Sequence, residues 1–356
     1  MKIRKILSLT FLALCICSCS ESKDVDEVSL KGQLVKLDEG ETGRYSIRYL
    51  FRDMAYVHDY GSFDLSVGKM SPTGLQKLEK TLVRGHGHNE FQRAALSQDK
   101  NGALYVLDRP MDGDKLMSLT KIPNASNAET IKDQTKWEDY NFNKLPPVHQ
   151  FGDSFIVMSD STILVTGAPS KDMKHVFSIV NFKSQTITPL DGYWPEDGSP
   201  ADKIYSKLFR YTYYSGITWN GKDKFLYWNG WIPLTFIFTI DGAKMNIQSY
   251  MYNKAFQPDV NYCTERLHCC TDGDRIYVLY ADSDEEGKKL DGFNEKCPFP
   301  MGNTVEVYDW DGVKQQVIHL DKLGREIRLS EDGNTLYLSP GDMSHGDEYI
   351  YSYKVR

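Results

Sequence analysis

The 356-residue chain has no cluster of lysines and arginines, no Cys-x-x-Cys pair, and one notable apolar stretch, Ile6 to Ile16, too short to cross a bilayer. Each absence removes a class of function. With a net charge of −7 and scattered basic residues, no stripe exists to neutralise phosphates, so no nucleic acid partner is expected. Without paired cysteines at ligand spacing, zinc ribbons and fingers drop out. Helical periodicity is equally scarce, which leaves helical bundles without material.

What is present is aromatic and β-rich. Tyrosine occurs 22 times, phenylalanine 16 and tryptophan 6, in a chain of mean hydropathy −0.48. That composition suits short, half-buried strands. Six times a polar turn precedes such a run: Met54 to Val57, Leu104 to Leu107, Ile163 to Thr166, Phe225 to Trp228, Ile276 to Leu279 and Leu336 to Ser339. The steps between first residues are 50, 59, 62, 51 and 60, the signature of a radial repeat.

The unit written most plainly spans Leu267 to Cys270, a turn at Thr271 to Asp274, Ile276 to Tyr280, a long acidic loop, Thr304 to Tyr308, a turn at Asp309 to Gly312, and Gln316 to Leu320. That is four strands with hairpin turns of the Asp-Gly type. The last unit has only Tyr349 to Tyr353 after Leu336, and Gln33 to Leu37 stands outside the first unit. The expected fold is therefore all-β: a six-bladed β-propeller of four-stranded blades, closed by the N-terminal strand in the last blade. Units of about 55 residues exceed the 40 to 45 of WD40 repeats, and no Trp-Asp or Gly-His signature is placed as those repeats require. One short helical insert is expected from Ser199, with Pro200 at its first position and Ile204, Tyr205, Leu208 and Phe209 on one face.

At the N-terminus, Lys2, Arg4 and Lys5 precede the apolar run, as in an export signal. The run closes on Ile16, Cys17, Ser18, Cys19, which resembles the lipobox of bacterial lipoproteins, with Cys19 as the thiol that takes the diacylglyceryl group. The expected organisation is a cleaved signal over 1–18, a solvated tether over 19–30 and the propeller over 31–356. Two or three acyl chains would attach it durably to a membrane. Glu21, Asp24, Asp26 and Glu27 after the anchor look like a surface-export signal, which leaves either face of the outer membrane open.

The lipobox, the six units, the segment Gly85-His86-Gly87-His88-Asn89-Glu90-Phe91 and the insert from Tyr193-Trp194-Pro195 to Ile217 together resemble the TolB-like six-bladed propeller lipoproteins of Bacteroides and relatives. The resemblance implies a propeller on the cell envelope and no established activity.

Candidate chemistry is sparse. Phe151-Gly152-Asp153-Ser154 with Asp342-Met343-Ser344-His345 mimics the blocks of a family of serine esterases, but Ser154 opens a β-run where that chemistry needs a helix start. His86, His88 and Glu90 share one side of an extended segment and offer a metal-like or polar binding face; the glycines flanking His86 argue for a tight turn instead. Asp282, Asp284 and Glu286 begin like a calcium loop, yet Phe293 occupies the position that needs glutamate. Among Cys263, Cys269, Cys270 and Cys297, strand alternation sends Cys269 and Cys270 to opposite faces, and Cys297 pairing with Cys263 or Cys269 is the expected disulfide, against buried reduced thiols. Trp194, Tyr205, Phe209, Tyr211, Tyr213 and Tyr214 around the insert, with Trp228 and Trp231 in blade four, form a possible binding surface, with blade packing as the alternative. No motif implies a cofactor. The expected function is a lipid-anchored envelope propeller binding a protein or glycan partner without catalysis; the alternatives are a propeller enzyme acting on glycans or lactones, and a scaffold within an outer-membrane assembly.

Overall fold

The computed structural model describes residues 25–37, 45–59, 64–92, 94–108, 118–125, 128–146, 148–169, 175–191, 215–229, 234–253, 266–280, 301–339 and 349–356. Three short strands come first: β1 (Asp26–Leu30), β2 (Gln33–Leu34) and β3 (Lys36–Leu37). Blade one follows as β4 (Tyr45–Phe51), β5 (Met54–Asp59), β6 (Leu65–Ser71) and β7 (Gly74–Leu82). Blade two contains β8 (Ala94–Gln98), β9 (Leu104–Asp108), β10 (Ser118–Ile122), a short helix α1 (Ala128–Lys132) and β11 (Glu138–Asn141). Blade three is β12 (Val148–Val157), β13 (Thr162–Pro169), β14 (Phe177–Asn181) and β15 (Thr186–Pro189). Blade four is β16 (Ser215–Trp219), β17 (Lys224–Asn229), β18 (Leu234–Asp241) and β19 (Lys244–Asn253). Blade five is β20 (Arg266–Thr271), β21 (Ile276–Tyr280), β22 (Gly302–Tyr308) and β23 (Lys314–Gly324). Blade six is β24 (Glu326–Leu329), β25 (Thr335–Ser339) and β26 (Tyr351–Lys354), with β2 as its outer strand.

The ring closes through its inner strands. β4 touches β8, β8 touches β12, and the succession runs through β16, β20 and β24 back to β4. Six apolar cores lie between the blades, one at each interface. The seam between blades six and one holds Tyr45, Ile47, Val57, Leu75, Tyr337 and Ile350 around Val35, which the N-terminal segment inserts. The six runs that mark the repeat are all second strands, the layer flanked by strand on both sides. Residues such as Val57, Val106, Leu164, Leu226, Val278 and Leu336 are wholly buried there. Each such side chain contributes about 1.5–3 kcal/mol relative to exposure, which makes this strand the most apolar and most legible of each blade.

The closing segment does more than complete one blade. β2 pairs antiparallel with β26 as expected, but β3 pairs parallel with β7 of blade one and β1 pairs parallel with β23 of blade five. Residues 26–30, expected within a solvated tether, are thus a strand on an otherwise open sheet edge, because unpaired edge groups accept any extended segment in reach. The N-terminal strap crosses three blades. A second difference is α1, a five-residue helix in blade two too short to show a period. Ile131 on it is buried and its carbonyl accepts from Trp137 Nε1 at 3.0 Å. The insert expected from Ser199 lies outside the described residues.

The strands alternate up and down, so the ring has two unlike rims. First-to-second and third-to-fourth connections form one rim of tight turns, and glycines at positive φ supply the left-handed position in several: Gly102 (88°), Gly221 (76°), Gly273 (91°), Gly312 (83°) and Gly333 (66°). The second-to-third connections and the links between blades start and end at the opposite rim, and the longest join β15 to β16, β19 to β20 and β21 to β22.

Candidate functional site

The inner strands of blades five, six and one carry polar residues inside otherwise apolar runs. In β24, Glu326 and Arg328 alternate with buried Ile327 and Leu329; in β4, Ser46 and Arg48 alternate with Tyr45 and Ile47. Two of these strands are irregular at the site. Arg48 falls in a register shift between Ile47 and Tyr49, and another shift separates Arg266 from His268 in β20. A bulge places an unpaired residue in the ladder and re-aims its neighbours, a device common beside functional sites.

The bulge at Arg48 leaves its carbonyl for a different partner. The Arg328 guanidinium donates to it from both Nε (3.3 Å) and Nη2 (2.8 Å). Nη1 of Arg328 donates to its neighbour's carbonyl, Ile327 O, at 2.9 Å and lies against the ring nitrogens of His268. Arg48 in turn pairs with Glu326 through Nη1 at 3.0 Å, and the Ser46 hydroxyl donates to the other carboxylate oxygen at 2.5 Å. On the far side of His268 stands Trp228 of blade four, edge to face with a centroid separation of 5.4 Å. That indole occupies the space over Gly216, where a Cβ would come within 2.0 Å of the ring. The inner strands of blades five, six and one therefore share a continuous polar seam, backed by Trp228 from the second strand of blade four. Arg48, His268, Glu326 and Arg328 all remain partly exposed.

The electrostatics follow from burial and neighbours. Burial raises the Glu326 carboxyl, but Arg48 and Arg328, with the Ser46 hydrogen bond and Arg325, outweigh it and hold the group ionised below its ordinary range. Burial, then the positive charges of Arg328 and Arg48, drive His268 well below 6.5, so its imidazole is neutral near pH 7. Cys270 is pushed up to about 12, chiefly by burial, and stays a thiol. Burial also raises Tyr49, next to Arg48, far above the usual phenol value. Its hydroxyl donates to Gln98 Oε1 at 3.3 Å, and Gln98 Nε2 is buried with no hydrogen-bond partner.

Of the residues singled out in the sequence, Trp228 backs the cluster from the core between blades four and five, and, Cys270 apart, the other described ones are elsewhere. His86 and His88 are exposed in a turn, with Asn89 at φ 61°, and not on one face of a strand. The Glu90 carboxylate folds back to accept the Gly87 N–H at 2.8 Å, and any Cβ on Gly85 would collide with it. The glycines around His86 thus serve this turn, and no group of three metal-ligating side chains forms among the described residues. Ser154 Oγ accepts the backbone N–H of Ile217 at 2.7 Å, stitching β12 to β16. Cys269 and Cys270 are both buried, one in the core between blades four and five and the other in the core between five and six, as strand alternation requires. Cys19, Trp194, Tyr205, Phe209, Tyr211, Tyr213, Tyr214, Trp231, Cys263 and Cys297 lie outside the described residues.

The cluster itself was missed, although a signal existed. Charged or polar residues at alternate positions of the first strand in a blade, as in Glu326-Ile327-Arg328-Leu329 and Leu267-His268-Cys269, mark side chains near the ring axis once the strand's rank in its blade is known.

No family model matches the sequence, and no curated protein matches it. Solved structures are similar to it at low identity. They include an oligogalacturonate lyase in complex with manganese (10% identity, 85% of this chain and 74% of that one, TM-score 0.43). Another is a gluconolactonase from Xanthomonas campestris (10%, 85% and 82%, 0.44). A third is an auxiliary nutrient binding protein from Bacteroides ovatus (11%, 91% and 76%, 0.43). These likenesses assign neither an activity nor a ligand; the six-bladed propeller stands on the strand pairing itself.

Proposed function

We propose that this chain is a lipid-anchored binding propeller of the bacterial outer membrane, of the TolB-like lipoprotein kind, which holds a protein or glycan partner at the rim of long connections and performs no chemistry on it. The observation that carries this reading is the inequality of the two rims. On the turn rim Asn220 and Asp309 commit their side chains to their own backbone, whereas the inner strands carry Arg48, His268, Glu326 and Arg328, all partly exposed. Among the described residues of that cluster the Cys270 thiol is held protonated and the Ser46 hydroxyl is committed to Glu326, while Ser154, on blade three, is occupied by a backbone N–H.

The strap supports the anchored reading and gives it a direction. β1 begins at Asp26 opposite Gln316, just beyond the Asp309–Gly312 turn, so the chain joins the ring beside a hairpin of the turn rim. Residues 19 to 25 span at most ~25 Å when fully extended. A lipid on Cys19 therefore holds the turn side of blade five against the membrane and points the long connections away from it.

Two measurements test the proposal. Cells expressing the chain should incorporate labelled palmitate, and a Cys19→Ser variant should not. Glycan arrays and pull-downs from envelope extracts, using the chain from Ser20 onward, should return a saturable partner. Clean negatives on both binding assays would remove the binding role.

A further inference from the structure

Arg328 is a charge without a counterion of its own. Among the described residues no carboxylate lies within ion-pair distance of its guanidinium. The one carboxylate of the cluster, Glu326, is engaged by Arg48 and Ser46. Nor do the other neighbours supply negative charge, since Cys270 remains a thiol, Tyr49 a phenol and His268 a neutral imidazole. A guanidinium has five N–H donors, and Arg48 O, Ile327 O and the His268 ring account for four of them, leaving one on Nη2. Beyond Tyr49, Gln98 Nε2 is a second buried donor with no acceptor.

A cation removed from bulk water without a paired anion is costly, and that cost falls when an anion arrives. Here the fork is also held rigid by two carbonyls, so little side-chain freedom is lost on binding. Glu326 stays ionised beside the guanidinium, so a carboxylate, which brings one negative charge, is repelled less there than a phosphate dianion, which brings two. A carboxylate oxygen accepts the spare Nη2–H in a charge-assisted hydrogen bond.

We propose that Arg328 is the docking point for a carboxylate-bearing small ligand at the inner strands of blades six and one, with Arg48 as the second cation and Glu326 as the internal anion that limits affinity. This rests on the binding role proposed above and names the chemistry of its ligand. Behind the site, the Trp228 ring in the core between blades four and five packs edge to face on His268 and holds that imidazole in place.

Isothermal titration and thermal-shift measurements on the full chain test it at pH 8, where phosphate is largely the dianion, with acetate and glucuronate against glucose and inorganic phosphate at matched ionic strength. Both carboxylates should bind and raise the melting temperature, while glucose and phosphate leave it unmoved. Tighter binding of glucuronate than acetate identifies the carboxylate as part of a sugar, and equal binding identifies the carboxylate alone. Arg328→Gln should weaken carboxylate binding at least tenfold. Glu326→Gln, which removes the competing anion and keeps the side-chain shape, should strengthen it severalfold and provides a reading even where Arg328→Gln does not fold. Carboxylate binding that is absent, is matched by glucose or phosphate, or is unchanged or weaker in Glu326→Gln overturns the proposal. A chain that still captures its envelope partner yet ignores every carboxylate keeps the binding role and loses this site.

Discussion

At one end of the ring Asn220, Asp272 and Asp309 turn their side chains onto the backbone of their own hairpins; at the other, Ser46, Arg48, Glu326 and Arg328 bond across the seam between two blades. Asn220 Oδ1 accepts the N–H groups of Lys222, Asp223 and Lys224, and Asp309 Oδ1 those of Asp311 and Val313. Turns of this kind need no help from the rest of the molecule, because the acceptor sits two to four residues from its donors. The axial cluster needs the whole ring: its donors and acceptors are up to 280 residues apart in sequence. Local satisfaction lets each hairpin of this rim hold its shape by itself. Long-range satisfaction yields a site whose groups are positioned but not exhausted.

The largest expected effect comes from the turn rim. Asp272, with its side chain 3% exposed, accepts N–H groups of Asp274 and Arg275 on one oxygen and the Tyr277 hydroxyl and Arg356 on the other. Asp272→Ala should cost about 2–4 kcal/mol in chemical denaturation, since it strands several donors at once. A loss below about 1 kcal/mol would break the claim that this rim carries the stability.

Next comes a pair of glycines that separates space from conformation. Gly216→Ala drives a Cβ into the Trp228 ring and should cost about 1–3 kcal/mol by overpacking. Gly221→Ala, on the turn rim at φ 76° with nothing within 4 Å, should cost about 1 kcal/mol from backbone strain alone. Melting curves that rank Gly221→Ala as the more damaging would reverse the assignment of causes.

A pH scan reads the axial cluster directly. His268 is neutral in the fold and protonates below 6.5 in the unfolded chain, so its contribution is complete above that pH and shrinks as the pH falls beneath it. The slope approaches about 1.4 kcal/mol per pH unit for one proton. His268→Gln should flatten the stability profile between pH 6.5 and 5. A second decline, from Glu326, belongs below about 4.5, where the unfolded carboxylate protonates before the folded one. An unchanged slope in His268→Gln would mean that other groups carry it. The smallest effect is the turn-rim pair Lys183–Asp160, at 3.2 Å but largely exposed, where Asp160→Ala should change stability by less than about 0.5 kcal/mol.

Much of the fold was readable because it is encoded locally. A buried second strand must be apolar along its length, and a tight turn must carry Asn, Asp or Gly, so each blade announces two of its strands and their hairpin. The strap was only half readable. Gln33 to Leu37 was recognised as the closing segment, yet its division between β26 and β7, and the pairing of residues 26–30 with β23, depend on open edges created by strands elsewhere in the ring, from 38 residues away (Lys36 to Gly74) to 319 (Gln33 to Ser352). Charge in Asp26-Glu27-Val28 reads as a solvated leash, because an edge strand buries too little to show a pattern. His86 and Glu90 attracted attention for their chemistry and proved to belong to a turn. Arg48 and Arg328 attracted none, since a lone arginine in a β-run is ordinary until its strand is known to be the innermost of its blade.

By itself the sequence determined the number of blades, the place of the turns and the need for the chain's start to meet its end, because hydrophobic alternation and turn chemistry act between near neighbours. Only the tertiary structure decided which polar residues face one another across the axis and where the strap lies. Those outcomes depend on ring closure, which brings first strands from distant units within hydrogen-bond reach.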